Sequence, residues 1–248
     1  MLRMNDVSKI YRTDLIETYA LRRFSLEVAE GEFVAITGPS GSGKTTFLNV
    51  AGLLEDFDSG SYELEGTDVR RLSDDARSRV RNERIGFIFQ SFNLIPDLNV
   101  YDNVDVPLRY RRLTARDRNE RISSALELVG LGSRMKHMPA QLSGGQQQRA
   151  AIARAIAGDP AFLLADEPTG NLDSLMSRQV MDLLEQINEM GATILLVTHD
   201  PELARRAQRN VHLVDGQISD FRAYEPRPAV AETGEATTPG DAAGAARA

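Results

Sequence analysis

The chain has no cysteine and no long apolar stretch. Without cysteine it cannot form a disulfide framework or a thiolate metal site, and a reducing compartment is permitted. A membrane-spanning helix needs ~20 consecutive apolar residues, and no such run is present. Charged residues throughout positions 1–28 also argue against a signal peptide. We therefore expect no direct membrane insertion, so that any membrane association goes through a partner.

Lysine is nearly missing as well. Of the 29 basic residues, only Lys9, Lys44 and Lys136 are lysine, and the rest are arginine. Since arginine is the default cation of this chain, a lysine at a motif position is informative. The formal net charge of −7 argues against a nucleic acid as partner, because that affinity depends on a dense basic surface.

Two kinds of apolar pattern predict two kinds of sheet. Apolar and polar side chains alternate in residues 24–28 and 62–64, which is typical of an antiparallel sheet. Residues 33–36, 162–165 and 194–197 are continuous apolar runs. Such runs are typical of parallel strands covered on both faces, although a short buried helical segment gives the same pattern.

A predicted helix joins the last two runs. Apolar residues within 180–187 follow the i, i+3, i+4, i+7 spacing of an amphipathic helix. Asp173 or Ser174 is its predicted N-cap, and Gly191 its predicted stop. The strand, helix and strand together predict a βαβ unit.

The length of 248 residues fits one domain with an embedded subdomain. Residues 92–158 are helical in pattern and lack strand runs, so they predict an inserted helical subdomain. Residues 223–248 are rich in Ala, Gly, Pro, Thr and Glu. This composition predicts a disordered tail, because it cannot bury enough apolar surface to offset the entropy of ordering. The domain itself is therefore predicted over residues 1–222.

Residues 38–45 match the phosphate-binding pattern G-x-x-x-x-G-K-[ST], between a predicted strand and a predicted helix. Backbone N–H groups of such a loop turn toward an anion, and the helix N-terminus adds partial positive charge. Lys44 would reach the β- and γ-phosphates, and the Thr45 hydroxyl would bind Mg²⁺. An ordinary Gly/Ser turn is the alternative, and the flanking strand and helix argue against it.

Two acids close the apolar run at 162–165. Asp166 and Glu167 follow it at the carboxyl end of a predicted parallel strand, where ligands of such sheets bind. Asp166 would hold Mg²⁺ through water, and Glu167 would orient or deprotonate the water that attacks the γ-phosphate. A solvated Asp-Glu turn before Pro168 is the alternative.

Polar residues end two further predicted strands. His199 closes the run at 194–197, and it lies at the same sheet edge as Glu167 if the two strands are neighbours. A strand-end histidine is also common as a structural residue. Gln90 ends a short strand at 85–89, from which it can reach a metal or a water molecule.

A second Gly-containing loop opens a second helix at residues 142–149. Ser143 is a good N-cap, and residues 150–157 are strong helix formers. A Ser-Gly-Gly turn alone is a common helix entry. Two phosphate-seeking helix N-termini beside one Mg²⁺ site nevertheless need an explanation, and one explanation is that the second serves a nucleotide held by another copy of the chain.

In their order, these segments resemble the motif set of ABC-type nucleotide-binding domains: Tyr11, residues 38–45, Gln90, Leu142 to Gln146, Asp166 with Glu167, Asn171 to Asp173, and His199. The resemblance spans residues 1–218. It implies an α/β fold class: a P-loop NTPase core with a mostly parallel sheet flanked by helices, an antiparallel β subdomain and an inserted helical subdomain. It also implies a homodimer on ATP binding, in which Leu142 to Gln146 closes over the ATP of the opposite protomer.

The resemblance assigns roles to individual residues. Catalytic roles are implied for Lys44, Gln90, Glu167 and His199, and contacts to Mg²⁺ for Thr45, Gln90 and Asp166. Tyr11 would stack on adenine, a contact worth ~1–3 kcal/mol. The residues implied in ATP binding are Tyr11, Gly38, Pro39, Ser40, Gly41, Ser42, Gly43, Lys44, Thr45, Thr46, Ser143, Gly144, Gly145, Gln146 and Asp173.

Residues 89–95 and 165–173 are similar to the branch of lipoprotein-releasing, macrolide-export and cell-division ATPases. That likeness implies an ATPase at the inner face of the cell membrane that drives a separate permease in export, lipoprotein release or mechanotransmission. ABC-type ATPases of DNA repair, chromosome structure or translation are alternatives, but they usually carry a coiled coil, a Cys-based zinc module or a second nucleotide domain. A cofactor-assembly scaffold without a permease is disfavoured by analogy alone.

Arginine clusters at residues 70–84 and 109–121 are interpreted as solvated faces paired with nearby Asp and Glu. Contact with lipid head groups or with the permease is the alternative.

Overall fold

Two sheets and the helices around them make up the described part of the chain. The computed structural model describes residues 1–13 and 16–223. Within these residues the strands are β1 (Leu2–Arg12), β2 (Glu17–Val28), β3 (Phe33–Thr37), β4 (Ser59–Leu64), β5 (Thr67–Asp68), β6 (Ile85–Phe89), β7 (Phe162–Asp166), β8 (Thr193–Val197), β9 (Arg209–Val214) and β10 (Gln217–Ala223). The α-helices are α1 (Lys44–Ala51), α2 (Asp74–Arg84), α3 (Val100–Asp105), α4 (Ala115–Leu128), α5 (Gly144–Ile156), α6 (Ser174–Glu189) and α7 (Pro201–Ala204). Short 3-10 helices lie at Val69–Arg71, Val106–Tyr110, Gly132–Arg134 and Pro139–Gln141.

The larger sheet is mostly parallel. Its strand order is β10-β9-β3-β8-β7-β6, and β10 alone among them runs antiparallel to its neighbour. The three continuous apolar runs are confirmed as the parallel strands β3, β7 and β8. Each is buried along its length, except that Asp166 at the end of β7 is partly exposed. Their carboxyl ends meet at one edge of the sheet.

Each parallel strand serves two hydrophobic cores, which explains the absence of alternation. Phe33 and Ala35 of β3 pack in the core on the helical side, whereas Val34 and Ile36 pack toward the antiparallel sheet. Since both faces are covered, every position from Phe33 to Ile36 is apolar.

The smaller sheet has the order β2-β1-β4-β5 and is antiparallel. Met4 lies opposite Leu26 on one side and Tyr62 on the other, and all three side chains are buried. The predicted alternation is confirmed. This sheet also supports α1, because the Phe47 ring of that helix lies 5.0 Å from the Phe24 ring of β2.

Residues 92–158 contain α3, α4, α5 and three of the short 3-10 helices, and no strand. This is the pattern that the sequence predicts for the helical insertion. Helix α5 packs against β6, α3, α4 and α6. Those contacts carry the N-terminus of α5 to the beginning of α6.

Helix α6 completes the predicted βαβ unit between β7 and β8. Of the two candidate N-caps, Asp173 is the one that caps, and its side chain accepts a hydrogen bond of 2.8 Å from the Met176 N–H. Gly191 follows the helix with a φ of 104°, the left-handed conformation of a helix stop.

Arginines of both clusters pair with nearby carboxylates, as predicted. Arg84 lies 3.3 Å from Glu65, and Asp105 accepts from Arg109 at 2.7 Å and from Arg118 at 3.1 Å. The predicted disorder of the tail concerns residues 224–248, which lie outside the described residues, and β10 continues to Ala223, one residue past the predicted boundary.

Candidate active site

The loop Gly38 to Thr45 connects β3 to α1 at the carboxyl edge of the larger sheet. Two glycines let it fit there. A Cβ on Gly43, whose φ is 102°, would lie 2.2 Å from the Ala20 carbonyl oxygen, and a Cβ on Gly38 would lie 2.1 Å from the Leu213 carbonyl oxygen. Neither position can carry a side chain, so the motif glycines are required by close packing between β2 and β9.

Lys44 is the first residue of α1, and its side chain is folded back over the loop. Its Nζ donates to the carbonyl oxygens of Gly38 and Pro39, both at 2.8 Å, and the residue is only 9% exposed. The remaining ammonium proton is available to a ligand. Pro39, Ser40 and Gly41 form the exposed crest of the loop. The site thus presents one buried positive charge below an exposed turn of backbone.

Asp166 and Glu167 lie at the end of β7, beside the loop. The Asp166 backbone pairs with Phe89 of β6 and Val197 of β8, so three strand ends converge here. Burial raises the pKa of the Asp166 carboxyl, the neighbouring charge of Glu167 raises it further, and Lys44 opposes the shift. The ionised carboxylate therefore costs folding stability above its unfolded-state pKa, and a bound cation would offset that cost.

Glu167 is held by two contacts. Its Oε1 lies 3.0 Å from Nδ1 of His199, and its backbone N–H donates to the Val197 carbonyl at 2.9 Å. Its φ of 44° lies in the left-handed region, which is unfavourable for a side chain of this size. Such strain persists where surrounding structure imposes it, so the position of this carboxylate is set by the fold.

Gln90 contacts the loop that follows Glu167. The backbone carbonyl oxygen of Gln90 accepts a hydrogen bond of 3.0 Å from Asn171 Nδ2. A Cβ on Gly170 would lie 2.6 Å from Nε2 of the Gln90 side chain. The two loops after β6 and β7 are therefore in direct contact. Asn171 belongs to the motif segment Asn171 to Asp173, but nothing in the sequence indicates that it binds Gln90.

The N-terminus of α5 is a complete helix cap. Ser143 Oγ accepts from the Gln146 N–H at 3.3 Å, and Gln146 Oε1 accepts from the Ser143 N–H at 3.0 Å. The atoms nearest to a Cβ on Gly144 belong to Leu172 and Phe92, and a Cβ on Gly145 would lie 2.7 Å from Met176 Sδ. This helix end is thus packed against the beginning of α6, beside Asp173, and these nearest neighbours do not include the loop at 38–45.

Tyr11 lies on β1 and is 40% exposed. Its hydroxyl donates to the Glu55 carboxylate at 2.8 Å, and Lys9 Nζ lies 3.8 Å from the same carboxylate. Burial is the main cause of the raised pKa of the Tyr11 hydroxyl, and a hydrogen bond with the Thr46 side chain lowers this pKa. Tyr11 is therefore next to the first turn of α1. Glu55 belongs to no motif, and its contact with Tyr11 could not be predicted from the sequence.

A family model described as ABC transporter matches residues 21–170. The chain belongs to the ABC transporter family. It is the ATP-binding subunit of an ABC transporter and an ATPase, and its motifs lie in the order and the strand-end positions described above.

Relatives and solved structures agree with this assignment. An ABC transporter ATP-binding protein of Thermotoga maritima is 48% identical over 88% of this chain and 93% of its own length. The macrolide export ATP-binding/permease protein MacB of Syntrophobacter fumaroxidans is 48% identical over 88% of this ATPase, which spans 31% of that longer protein. The dimeric ATP-binding cassette MJ0796, in a post-hydrolysis state bound to ADP and Pi, is 40% identical with a TM-score of 0.83, over 92% of this ATPase and all of that chain.

In the part of the ATPase that the structure describes, no helix is long and apolar enough to cross a membrane. The same residues contain no group of three or more His, Asp or Glu side chains arranged to hold a metal unaided.

Replacement of Lys44 tests the phosphate site. Lys44→Ala removes the only cation that the loop carbonyls hold in place. A hydrogen bond from a charged donor is worth ~1.5–3 kcal/mol, so ATP affinity should fall by at least ~10- to 150-fold in a calorimetric titration. Lys136→Ala, which alters an exposed lysine outside every motif, is the control and should bind ATP like the parent. Equal ATP affinity of the Lys44→Ala variant and the parent would show that this loop is not the phosphate site.

Proposed function

We propose that this ATPase hydrolyses ATP with Mg²⁺ at sites shared between two copies of the chain, and that closure of the dimer drives a membrane permease. The observation that carries the proposal is the position of the α5 N-terminus. It is a capped, solvent-accessible helix end that packs on Leu172 and Met176 rather than on the chain's own phosphate loop.

The phosphate loop binds the triphosphate through its backbone N–H groups and Lys44. Lys44 supplies the positive charge, because its two hydrogen bonds go to neutral carbonyl oxygens and leave one ammonium proton for a phosphate. Pro39 to Gly43 surround the phosphates with backbone, and Thr45 and Thr46 begin the helix whose partial positive charge faces them.

The residues around Asp166 fit Mg²⁺. The donors are a carboxylate at Asp166, a hydroxyl at Thr45 and an amide oxygen at Gln90, which are the hard oxygen ligands that this ion prefers. Mg²⁺ usually binds one or two carboxylates together with substrate phosphates, so the lack of a larger acidic cluster in the described residues suits an ion that arrives with the nucleotide. Bound there, it would neutralise charge on the β- and γ-phosphates.

Glu167 handles the attacking water. Its carboxylate accepts the water's proton or orients the water toward the γ-phosphate, and His199 holds that carboxylate from the opposite side through the 3.0 Å contact. Gln90 approaches from the neighbouring loop and completes the polar surround. Because Asn171 links Gln90 to the loop after Glu167, the two sides of the water site are kept in register.

A second copy supplies the remaining phosphate contacts. Ser143, Gly144 and Gly145 offer a helix N-terminus to the γ-phosphate held by the other chain, and Gln146 supports it through the capping box. Asp173 lies in the adjacent cap of α6 and reaches the same interface. A cavity of ≈ 740 Å³ is lined by Glu167, Thr169 and His199, so these side chains are reachable from outside the chain. The dimeric arrangement reported for MJ0796 supports this proposal.

Tyr11 holds the base. Its ring is exposed, and its hydroxyl is fixed by Glu55 at 2.8 Å, so it is a pre-oriented platform for adenine next to Thr46. Base-aromatic stacking of this kind is worth ~1–3 kcal/mol.

The permease is proposed to be a separate chain that binds the helical insertion. Two exposed apolar side chains flank α3, with Ile95 41% and Tyr110 82% exposed, and they offer apolar surface to a partner. The MacB relative is named as an ATP-binding/permease protein, and this chain matches 31% of it. We therefore propose work in export, lipoprotein release or mechanotransmission, with the ATPase at the inner face of the cell membrane through its permease.

Replacement of Glu167 tests its role in catalysis. Glu167→Gln keeps the shape and the hydrogen-bonding capacity of the side chain but removes the base. ATP binding should persist, while kcat should fall by ~10²- to 10⁴-fold, the usual contribution of a general base. Glu189→Gln, at the exposed end of α6, is the control and should hydrolyse ATP at the parent rate. Hydrolysis by Glu167→Gln at the parent rate would remove Glu167 from the mechanism.

Replacement of Ser143 tests the shared site. In sedimentation experiments the Glu167→Gln protein should be dimeric with ATP and Mg²⁺ and monomeric with ADP, because a ligand bound only by the dimer shifts the equilibrium by mass action. Adding Ser143→Glu should abolish the dimer but not ATP binding, since its charge opposes the γ-phosphate.

The control is Ser73→Glu, which makes the same change at the N-cap of α2. It should leave ATP-dependent dimerisation intact. A dimer that survives Ser143→Glu contradicts the shared site.

A further inference from the structure

The segment after Gln90 contains a strained turn. Phe92 and Asn93 have φ values of 59° and 51°, in the left-handed region, and neither is glycine. The left-handed conformation costs ~1–2 kcal/mol for a side chain such as that of Phe92, and less for Asn93. Hydrogen bonds from Phe92 N to Phe89 O at 3.3 Å and from Asn93 N to Ser91 O at 2.6 Å close the turn from within. These local bonds leave the outward carbonyls of the turn to other partners.

Arg154, three turns along α5, binds both of those carbonyls. Its Nη2 donates to the Phe92 oxygen at 2.9 Å, and its Nη1 donates to the Asn93 oxygen. One planar guanidinium thus holds two consecutive carbonyl groups through two different nitrogens, whose relative positions are fixed by the rigid plane of the group.

The position of the Arg154 guanidinium is unfavourable for the stability of the fold. Burial lowers the pKa of Arg154, and no carboxylate among the described residues opposes that shift. A partly buried cation without a counter-ion is costly. Its hydrogen bonds offset part of that cost by stabilising a turn that is itself strained. An arrangement of two unfavourable features is typical of a functional position.

The strained turn is connected at both ends to elements of the proposed mechanism. On one side, Gln90 binds Asn171 in the loop that follows Glu167. On the other side, Asn103 of α3, which is fully buried, binds the backbone of Ile95 at both its N–H, at 2.7 Å, and its carbonyl, at 3.1 Å. The segment is thus attached to the helical insertion through α3 and α5.

Phe92 extends the link to the phosphate-seeking end of α5. A Cβ on Gly144 would lie 3.8 Å from its ring. The Phe92 ring therefore lies near the first residue of α5, and the carbonyl groups of the turn contact α5 at Arg154.

We infer that Arg154 is a positioning residue for Gln90: it fixes the Phe92–Asn93 turn to α5, so that the place of Gln90 follows the place of Ser143 and Gly145. This inference rests on the proposed roles of Gln90 and of the α5 N-terminus.

Hydrogen exchange of the nucleotide-free protein tests the anchor itself. Arg154→Lys keeps the charge but replaces the rigid pair of guanidinium nitrogens by one ammonium group on a flexible stem. The turn should then be held less firmly, so amides in peptides covering residues 89–95 should exchange faster than in the parent. Arg121→Lys is the matched control, because Arg121 on α4 also donates to a backbone carbonyl, that of Gly158 at 3.3 Å, but does not bind this turn. Unchanged exchange in the Arg154→Lys protein overturns the inference.

A double-mutant cycle tests whether Arg154 acts through Gln90. Arg154→Lys should lower kcat by ~10- to 100-fold, the cost of small misplacements at a reacting centre, with little change in the KM for ATP. In a Gln90→Ala background the same change should lower kcat less than twofold. Equal reductions in both backgrounds indicate a purely structural role and overturn the inference.

The two experiments distinguish failure of the Arg154 anchor from failure of the proposed role of Gln90. If Gln90→Ala alone hydrolyses ATP at the parent rate, the proposed role of Gln90 fails, and the coupling to catalysis fails with it. Faster exchange in Arg154→Lys would still establish the anchor in that case, whereas unchanged exchange removes the anchor regardless of what Gln90 does.

Discussion

The parallel register of β6, β7, β8 and β3 is the constraint on which the site depends. Pairing of Asp166 with Phe89 and Val197 sets where each strand ends, and therefore where the loops after them begin. A slip of one residue would turn every side chain to the opposite face. Side chains on both faces of β3, β7 and β8 are packed in a core, so a slip would misfit them against both cores. The register thus brings the phosphate loop, the two acids, Gln90 and His199 to one edge of the sheet, although these segments are far apart along the chain.

The charges at that edge are incomplete in the protein alone. Lys44 is held by carbonyl oxygens, and Asp166 carries a raised pKa because burial and Glu167 both disfavour its ionised form. A nucleoside triphosphate would pair with the charge of Lys44, and a divalent cation would pair with the carboxylate of Asp166. The charges of Lys44 and Asp166 would thus be compensated only when both ligands are present, which is a physical reason for the two to bind together. The N-terminus of α5 is capped from within its own helix, and in the proposed dimer it would face the nucleotide of the second copy.

Patterns that repeat within a few residues could be predicted from the sequence. The strands followed from continuous apolar runs, the α6 cap from an Asp before a periodic segment, and the phosphate loop from spacing that only glycine can satisfy. The contacts of Arg154 with Phe92 and of Tyr11 with Glu55 could not be predicted, because they join residues 62 and 44 positions apart and follow no motif. The left-handed φ values of Glu167 and Phe92 gave no signal either, since nothing but a glycine marks such a position in a sequence.

Mixing two inactive variants tests the shared site most directly. Lys44→Ala lacks the cation of the phosphate loop, and Ser143→Glu blocks the α5 N-terminus, so each protein alone should hydrolyse ATP far more slowly than the parent. A hybrid dimer combines the intact Lys44 of one chain with the intact Ser143 of the other in one complete site. The account predicts that the mixture hydrolyses ATP well above the sum of the two separate rates. A rate equal to that sum at every mixing ratio, in mixtures where hybrid dimers are shown to form, would contradict it.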